Sequence, residues 1–133
     1  MSDITPVLSD KACAYPAGLF QSGGQDHAKI FNGVVYTTGQ IGADVAGTLV
    51  GKDIASQTEQ VLKNLSAILE AAGSSLARVV KVNIYMVDQS EYAGMNEVYK
   101  AMMPDPKPPR ACVFVKGLPA GASVEMEMVA AVK

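Results

Sequence analysis

Arg110 enters an apolar run directly behind two prolines, in Pro108-Pro109-Arg110-Ala111-Cys112-Val113. Glu125 and Glu127 stand two residues apart in a second apolar run. If that run is a strand, alternation puts both carboxylates on one face. A charge in such a place must be exposed, paired or used, because burying it alone is costly. A cation near a carboxylate is what a small anionic substrate and a positioned water need. Arg110 reads either as a two-point clamp for a carboxylate or as a surface arginine after a proline loop. Glu125 and Glu127 read either as a group that orients or deprotonates water, with only one of them required, or as ion-pair partners of Lys81 or Arg110.

The other reactive residue types give less. Cys112 resembles a nucleophile in type only, and a small apolar strand residue is the plainer reading. His27, beside Asp26, is the only histidine. It reads as structural or as half of an acid–base pair. One histidine makes a catalytic zinc site improbable. Asn96 is placed to donate across a cleft or to face water. Gly39-Gln40-Ile41-Gly42 lacks the lysine and spacing of a phosphate loop.

Composition narrows the classes. The chain has 133 residues, 49% hydrophobic and 18% charged, which fits one folded domain over residues 1–133. A net charge of -2, scattered Lys and Arg, no Trp and 6% aromatic residues argue against nucleic-acid binding. Cys13 and Cys112 match no metal pattern and read as reduced thiols. No secretory or transit pattern opens the sequence, and no run reaches membrane-spanning length. The expected location is cytoplasmic.

These residues need elements to place them. Residues 1–27 read as an irregular arm with a short strand near Leu19-Phe20. Two strands flank Asn32-Gly33, a strong hairpin signal. Residues 53–72 read as a helix with Ile54, Val61, Leu62, Leu65, Ile68, Leu69 and Ala72 on one stripe, capped by Asp53 and ended at Gly73. Residues 79–87 read as a strand with Val80, Val82, Ile84 and Met86 on one face. A second helix follows Asp88, with a stripe of Tyr92, Met95, Tyr99 and Met102, and the prolines from Pro104 onward stop it. Residues 111–115 and 124–132 read as the final strands. Both helices then cover one face of one sheet. The other face carries Asn83, Tyr85, Cys112, Phe114, Glu125, Glu127, Val129 and Ala131 with nothing to cover it, which implies subunit association.

Several stretches together match a known pattern. They are Thr37-Thr38-Gly39-Gln40-Ile41, Glu70-Ala71-Ala72-Gly73, Val79-Val80-Lys81-Val82, Asn96-Glu97-Val98-Tyr99, Pro109-Arg110-Ala111-Cys112-Val113, and Leu118-Pro119 before Val124-Glu125-Met126-Glu127. In that order the chain resembles the Rid/YjgF family of imine deaminases, also called the L-PSP endoribonuclease family, from about Ala28 to Val132. The resemblance implies an α+β, chorismate-mutase-like fold with one mixed sheet and two helices. It implies a homotrimer with a central barrel and a cleft at each subunit interface. It implies hydrolysis of 2-imino acids such as 2-iminobutanoate and 2-iminopropanoate to 2-oxo acids and ammonia, with no cofactor and no metal. By position, Arg110 clamps the substrate carboxylate and Glu125 orients water. The Cys112 backbone helps hold water and imine, Thr38 and Gly39 line the cleft, and Asn96 lies in its wall. One departure stands out. Gln25 occupies the place of the tyrosine in the family's Gly-Pro-Tyr-Ser-Gln-Ala pattern, with Asp26 and His27 beside it, which leaves the particular substrate open. A non-catalytic metabolite binder and a ribonuclease are the rival readings.

Overall fold

The computed structural model describes residues 3–13 and 26–133. Leu19-Phe20 and Gln25 lie outside the described residues. The strands are β1 (Thr5–Val7), β2 (Ala28–Phe31), β3 (Val34–Thr37), β4 (Gln40–Ile41), β5 (Val79–Met86), β6 (Arg110–Phe114) and β7 (Val124–Ala131), with helices α1 (Ile54–Ala71) and α2 (Tyr92–Met102). They form one sheet in the order β1-β2-β3-β7-β5-β6, with β4 also pairing β7. Only β5 and β6 run parallel; the other pairs are antiparallel. The expected α+β mixed sheet with two helices is therefore present.

Local chemistry accounts for the element ends. Asn32 and Gly33 both have positive φ, as the β2–β3 hairpin requires. Asp53 caps α1 by accepting from the Ser56 N–H at 2.9 Å. At its other end Gly73 has φ +79°, and the N–H groups of Gly73 and Ser74 donate to the Glu70 and Leu69 carbonyls. That pattern satisfies carbonyls that the helix leaves open. α2 follows a short turn at Gln89–Glu91, whose start Asp88 caps. Its end is held by Lys107, whose Nζ donates to the carbonyls of Met103 at 2.6 Å and Lys100 at 3.1 Å. That contact fixes the proline loop that leads into Arg110.

The core lies between the helices and one sheet face. Val61, Leu62, Leu65, Ile68 and Leu69 of α1 meet Val82, Ile84, Met86, Val124, Met126, Met128 and Ala130, with Met95 and Tyr99 from α2. Buried polar side chains of α1 fasten the loops around it. Gln57 donates to the Gly51 carbonyl and accepts from the Ser123 N–H. Asn64 donates to the carbonyls of Ile41 and Ala43. Gly42 passes so close that an added Cβ lies 2.6 Å from the Gln57 Cα and carbonyl oxygen. Backbone cannot yield as a side chain can, so Gly42→Ala is expected to destabilise the fold by about 1–3 kcal/mol. Urea unfolding checks this; an unchanged midpoint contradicts the close approach.

Three expectations need correction. The arm is not wholly irregular, because β1 pairs Thr5, Pro6 and Val7 with Ile30, Lys29 and Ala28. Strict alternation in β5 breaks at a bulge between Val79 and Lys81. Val79 therefore turns inward, and Val80, expected on the covered face, is 50% exposed. Cys112 and Phe114 do not share the open face with Glu125. The parallel register pairs Cys112 with Ile84 and Phe114 with Met86, both buried, so they face the helix side. Ala111 and Val113 take the open face instead, beside Asn83 and Tyr85. Tyr36, Val113 and Phe31 remain exposed there, while the charged residues of that face are Lys29, Lys81, Glu125 and Glu127.

Candidate active site

The sheet order makes β6 an edge strand, and Arg110 opens it on the helix side opposite Val82. α2 presents Tyr92, Asn96 and Tyr99 at i, i+4 and i+7, which is one face of a helix. The Arg110 guanidinium lies 4.6 Å from the Tyr99 ring centre and 5.8 Å from that of Tyr92. Its Nη2 donates to the Tyr92 hydroxyl at 2.7 Å. Stacking on a buried ring fixes the plane of the guanidinium. No carboxylate pairs with Arg110 among the described residues. The surface-arginine alternative fits this poorly, because the side chain is held and its charge is unanswered.

The edge also frees backbone groups. Val82 N–H donates to the Pro109 carbonyl, and Val115 N–H donates to the Met86 carbonyl. In a parallel pair only alternate residues of one strand bond the other. Residues 109, 111, 113 and 115 thus face β5, and the N–H and C=O of Cys112 point out from the sheet beside Arg110. Burial pushes the Cys112 thiol up, against a smaller opposing pull from Arg110. A thiol kept protonated is a poor nucleophile, so the backbone of Cys112 is the usable part.

Glu125 lies elsewhere, on the open face of β7. Between the pairs Tyr36–Val129 and Gln40–Met126, the β3–β4 side has residues 37–39 against residues 127–128 of β7. One extra residue bulges out there. The Thr37 hydroxyl oxygen replaces a lost ladder partner by accepting from the Met128 N–H at 2.9 Å. The bulge carries Gly39 up to Glu125, while the Thr38 hydroxyl accepts from Gln40 Nε2 at 3.3 Å. A Cβ on Gly39 would collide with Glu125 Oε2, so glycine there is what lets the carboxylate lie on the backbone. Among the described residues the Glu125 carboxylate accepts no hydrogen bond. Burial first, and then the charge of Glu127, raise its pKa. Glu127 is occupied: its Oε2 accepts from Asn83 Nδ2 at 3.1 Å and from the Tyr85 hydroxyl at 3.0 Å. Neither glutamate pairs with Lys81 or Arg110.

His27 is structural. Its Nδ1 accepts from the Ser9 N–H and its Nε2 donates to the Cys13 carbonyl, both at 2.9 Å. Gln40 Nε2 reaches the same carbonyl at 3.3 Å. Asp26 pairs with Lys29 at 2.9 Å. Among the described residues no cluster of three or more His, Cys, Asp or Glu could hold a metal, and no helix is long and apolar enough to cross a membrane.

The six expected residues thus fall into two groups. Arg110, Asn96 and the Cys112 backbone gather at the β6 edge on the helix side. Gly39 and Glu125 meet on the open face, with Thr38 beside Gly39 in the bulge and its hydroxyl on Gln40, and with β5 between the groups. Tyr92 and Tyr99 as holders of Arg110, and Asn83 and Tyr85 as holders of Glu127, were missed from sequence. The two tyrosines were visible as a helical stripe but read as core.

Known proteins resemble this chain in sequence and fold. The family model described as endoribonuclease L-PSP matches residues 22–132. The fission-yeast protein named mmf1, mitochondrial, is 41% identical over 98% of this chain and 77% of its own. A rat protein named 2-iminobutanoate/2-iminopropanoate deaminase is 37% identical over 81% of this chain and 80% of its own. The crystal structure of RidA from an Antarctic Psychrobacter superposes with a TM-score of 0.85 at 37% identity, covering 96% of this chain and 99% of that one. The chain belongs to the endoribonuclease L-PSP family, which is the Rid/YjgF family.

Proposed function

We propose that the protein is a homotrimeric deaminase that hydrolyses small 2-imino acids, 2-iminobutanoate and 2-iminopropanoate, to 2-oxo acids and ammonia without a cofactor. The observation that carries this reading is Arg110, a guanidinium fixed by two tyrosines and lacking a carboxylate partner among the described residues. Such a group complements a planar carboxylate. The name of the rat relative supplies the substrate class.

In this reading Arg110 holds the substrate carboxylate, Asn96 walls the cleft, and the free N–H and C=O of Cys112 hold imine and water. Thr38 and Gly39 line the opposite side. Glu125 takes a proton from water as its oxygen bonds to the imine carbon and the C=N electron pair moves to nitrogen. Glu125 then returns the proton to that nitrogen to give a carbinolamine, takes the hydroxyl proton and passes it to the amine, so that the C–N bond breaks with ammonia leaving as the C=O bond forms. The imine is already electrophilic, so placing water and substrate is most of the task.

Arg110 and Glu125 lie on opposite sides of one sheet, so one chain cannot close both on a small substrate. A second copy that docks its β6 edge beside Glu125 can. Three such contacts close a ring, with the open sheet faces turned into a central barrel and their exposed apolar residues covered. Mixing tests this. Arg110→Ala and Glu125→Gln chains are each strongly impaired alone, but unfolded together in equal amounts and refolded they regain roughly a quarter of the intact sites if each site takes one group from each copy. No regain, with trimers verified by sedimentation, contradicts the shared site.

The family description as an endoribonuclease has less support here. Both His27 nitrogens are engaged with backbone, and the net charge is -2. A cytoplasmic location belongs to the same reading; cell fractionation tests it, since the name of the fission-yeast relative places that protein in mitochondria.

A further inference from the structure

Two carboxylates share one face two residues apart, yet the groups around them are divided unequally. Asn83 stands opposite Glu127 and Tyr85 stands opposite Glu125 in the β5–β7 register. The Tyr85 hydroxyl nevertheless reaches diagonally past Glu125 to Glu127. Both donors therefore meet on Glu127 Oε2, at 3.1 and 3.0 Å. Glu125 receives none among the described residues and rests against Gly39.

We propose that Glu127 is a positioning residue: held by Asn83 and Tyr85, it keeps its carboxylate fixed beside Glu125 and makes Glu125 the member of the pair that takes up and returns protons. This rests on the deaminase reading of the site. Donors on a carboxylate favour its charged form, and a fixed charge beside a second carboxylate disfavours ionisation there. Tyr85 stays a donor, because its bond to Glu127, then burial, then both glutamate charges push its phenol up. The other charged or titratable groups on this face are Lys81 of β5, Lys29 of β2 and Tyr36 of β3. Lys29 is turned to Asp26, and Lys81 pairs with neither glutamate. From the β3–β4 bulge uncharged Gly39 meets Glu125. Within one chain Glu127 is thus the charge that, after burial, raises the pKa of Glu125; in the proposed trimer a neighbouring copy's Arg110 also faces Glu125 and is unchanged by Glu127→Gln.

The test uses the full chain and the near-isosteric Glu127→Gln. The Glu125 carboxyl carbon is followed by NMR against pH, assigned by its loss in Glu125→Gln. In Glu127→Gln its midpoint is expected to move to lower pH, and the acid limb of kcat/KM to move down with it. An unmoved midpoint overturns the proposal whatever the activity. A moved midpoint with an unmoved limb also overturns it, because Glu125 is then not the proton carrier. Absence of imine hydrolysis by wild type refutes the deaminase reading separately, and the NMR midpoint still decides the coupling. Should Glu127→Gln not fold, Tyr85→Phe takes its place. With one donor gone, Glu127 is no longer fixed beside Glu125, and the Glu125 midpoint is expected to move; an unmoved midpoint overturns the proposal.

Discussion

Arg110→Ala is expected to lower kcat/KM for 2-iminobutanoate by roughly 10²–10⁴-fold, because two charge-assisted hydrogen bonds worth about 1.5–3 kcal/mol each are lost together. Arg110→Lys is expected to recover only part of this. A lysine offers a point charge without the fork that fixes both carboxylate oxygens. It also gives up the planar stacking on Tyr99. The fold should change little, since Arg110 is half-exposed and closes no ion pair among the described residues. Steady-state kinetics on variants of verified stability check this. Wild-type kcat/KM in Arg110→Ala would leave the carboxylate clamp without a basis.

Glu125→Gln is expected to act in two opposite directions. It should lower kcat by roughly 10²–10⁴-fold with KM nearly unchanged, because a general base acts on the reacting water and not on the substrate anchor. It should also make the protein more stable at neutral pH. Burial and Glu127 raise the pKa of Glu125 in the folded state. Between the ordinary glutamate value and the raised one, the native state binds more protons than the unfolded chain. Stability therefore falls as pH rises through that window. Below the window both states are protonated and the cost vanishes. Above it the full cost remains, and glutamine removes it. The stability difference between variant and wild type should thus be positive at pH 7 and shrink on acidification. Urea unfolding across pH measures it, and a difference independent of pH contradicts the raised pKa.

Much of this site was legible in the chain, for identifiable reasons. Arg110, Glu125 and Glu127 announced themselves as charges inside apolar strands, where each must be paired or used. The long stripe from Val61 to Leu69, the Asp53 cap, Gly73 and the Asn32-Gly33 hairpin are local signals, and each gave its element. Register is not local. The side on which Cys112 falls depends on how β6 lines up with Ile84 of β5, and a one-residue difference turns every side chain over. The bulges at Val79–Lys81 and at Thr37–Gly39 shift alternation in the same way, with no strong sequence mark. β1 escaped notice because its three residues, including a proline, carry little strand signal and are held by pairing to β2 and by the backbone contacts of His27. The aromatic support of Arg110 required knowing that α2 packs beside the β6 edge.

The separation of Arg110 and Glu125 across the sheet links fold to function. Within one chain Arg110 is held by Tyr92 and Tyr99 and Glu125 rests on Gly39, on opposite sides of the sheet. Under the proposed function, a site divided in this way would couple activity to assembly.

The most direct measurement is the hydrolysis of 2-iminobutanoate, generated in place by an amino-acid oxidase and trapped with semicarbazide, for wild type and Arg110→Ala. The imine reacts with semicarbazide faster than the oxo acid does, so hydrolysis slows semicarbazone formation. The expected result is slower formation with wild type and an uncatalysed rate with Arg110→Ala. An uncatalysed rate with folded, trimeric wild type would contradict the assignment as a deaminase of this substrate.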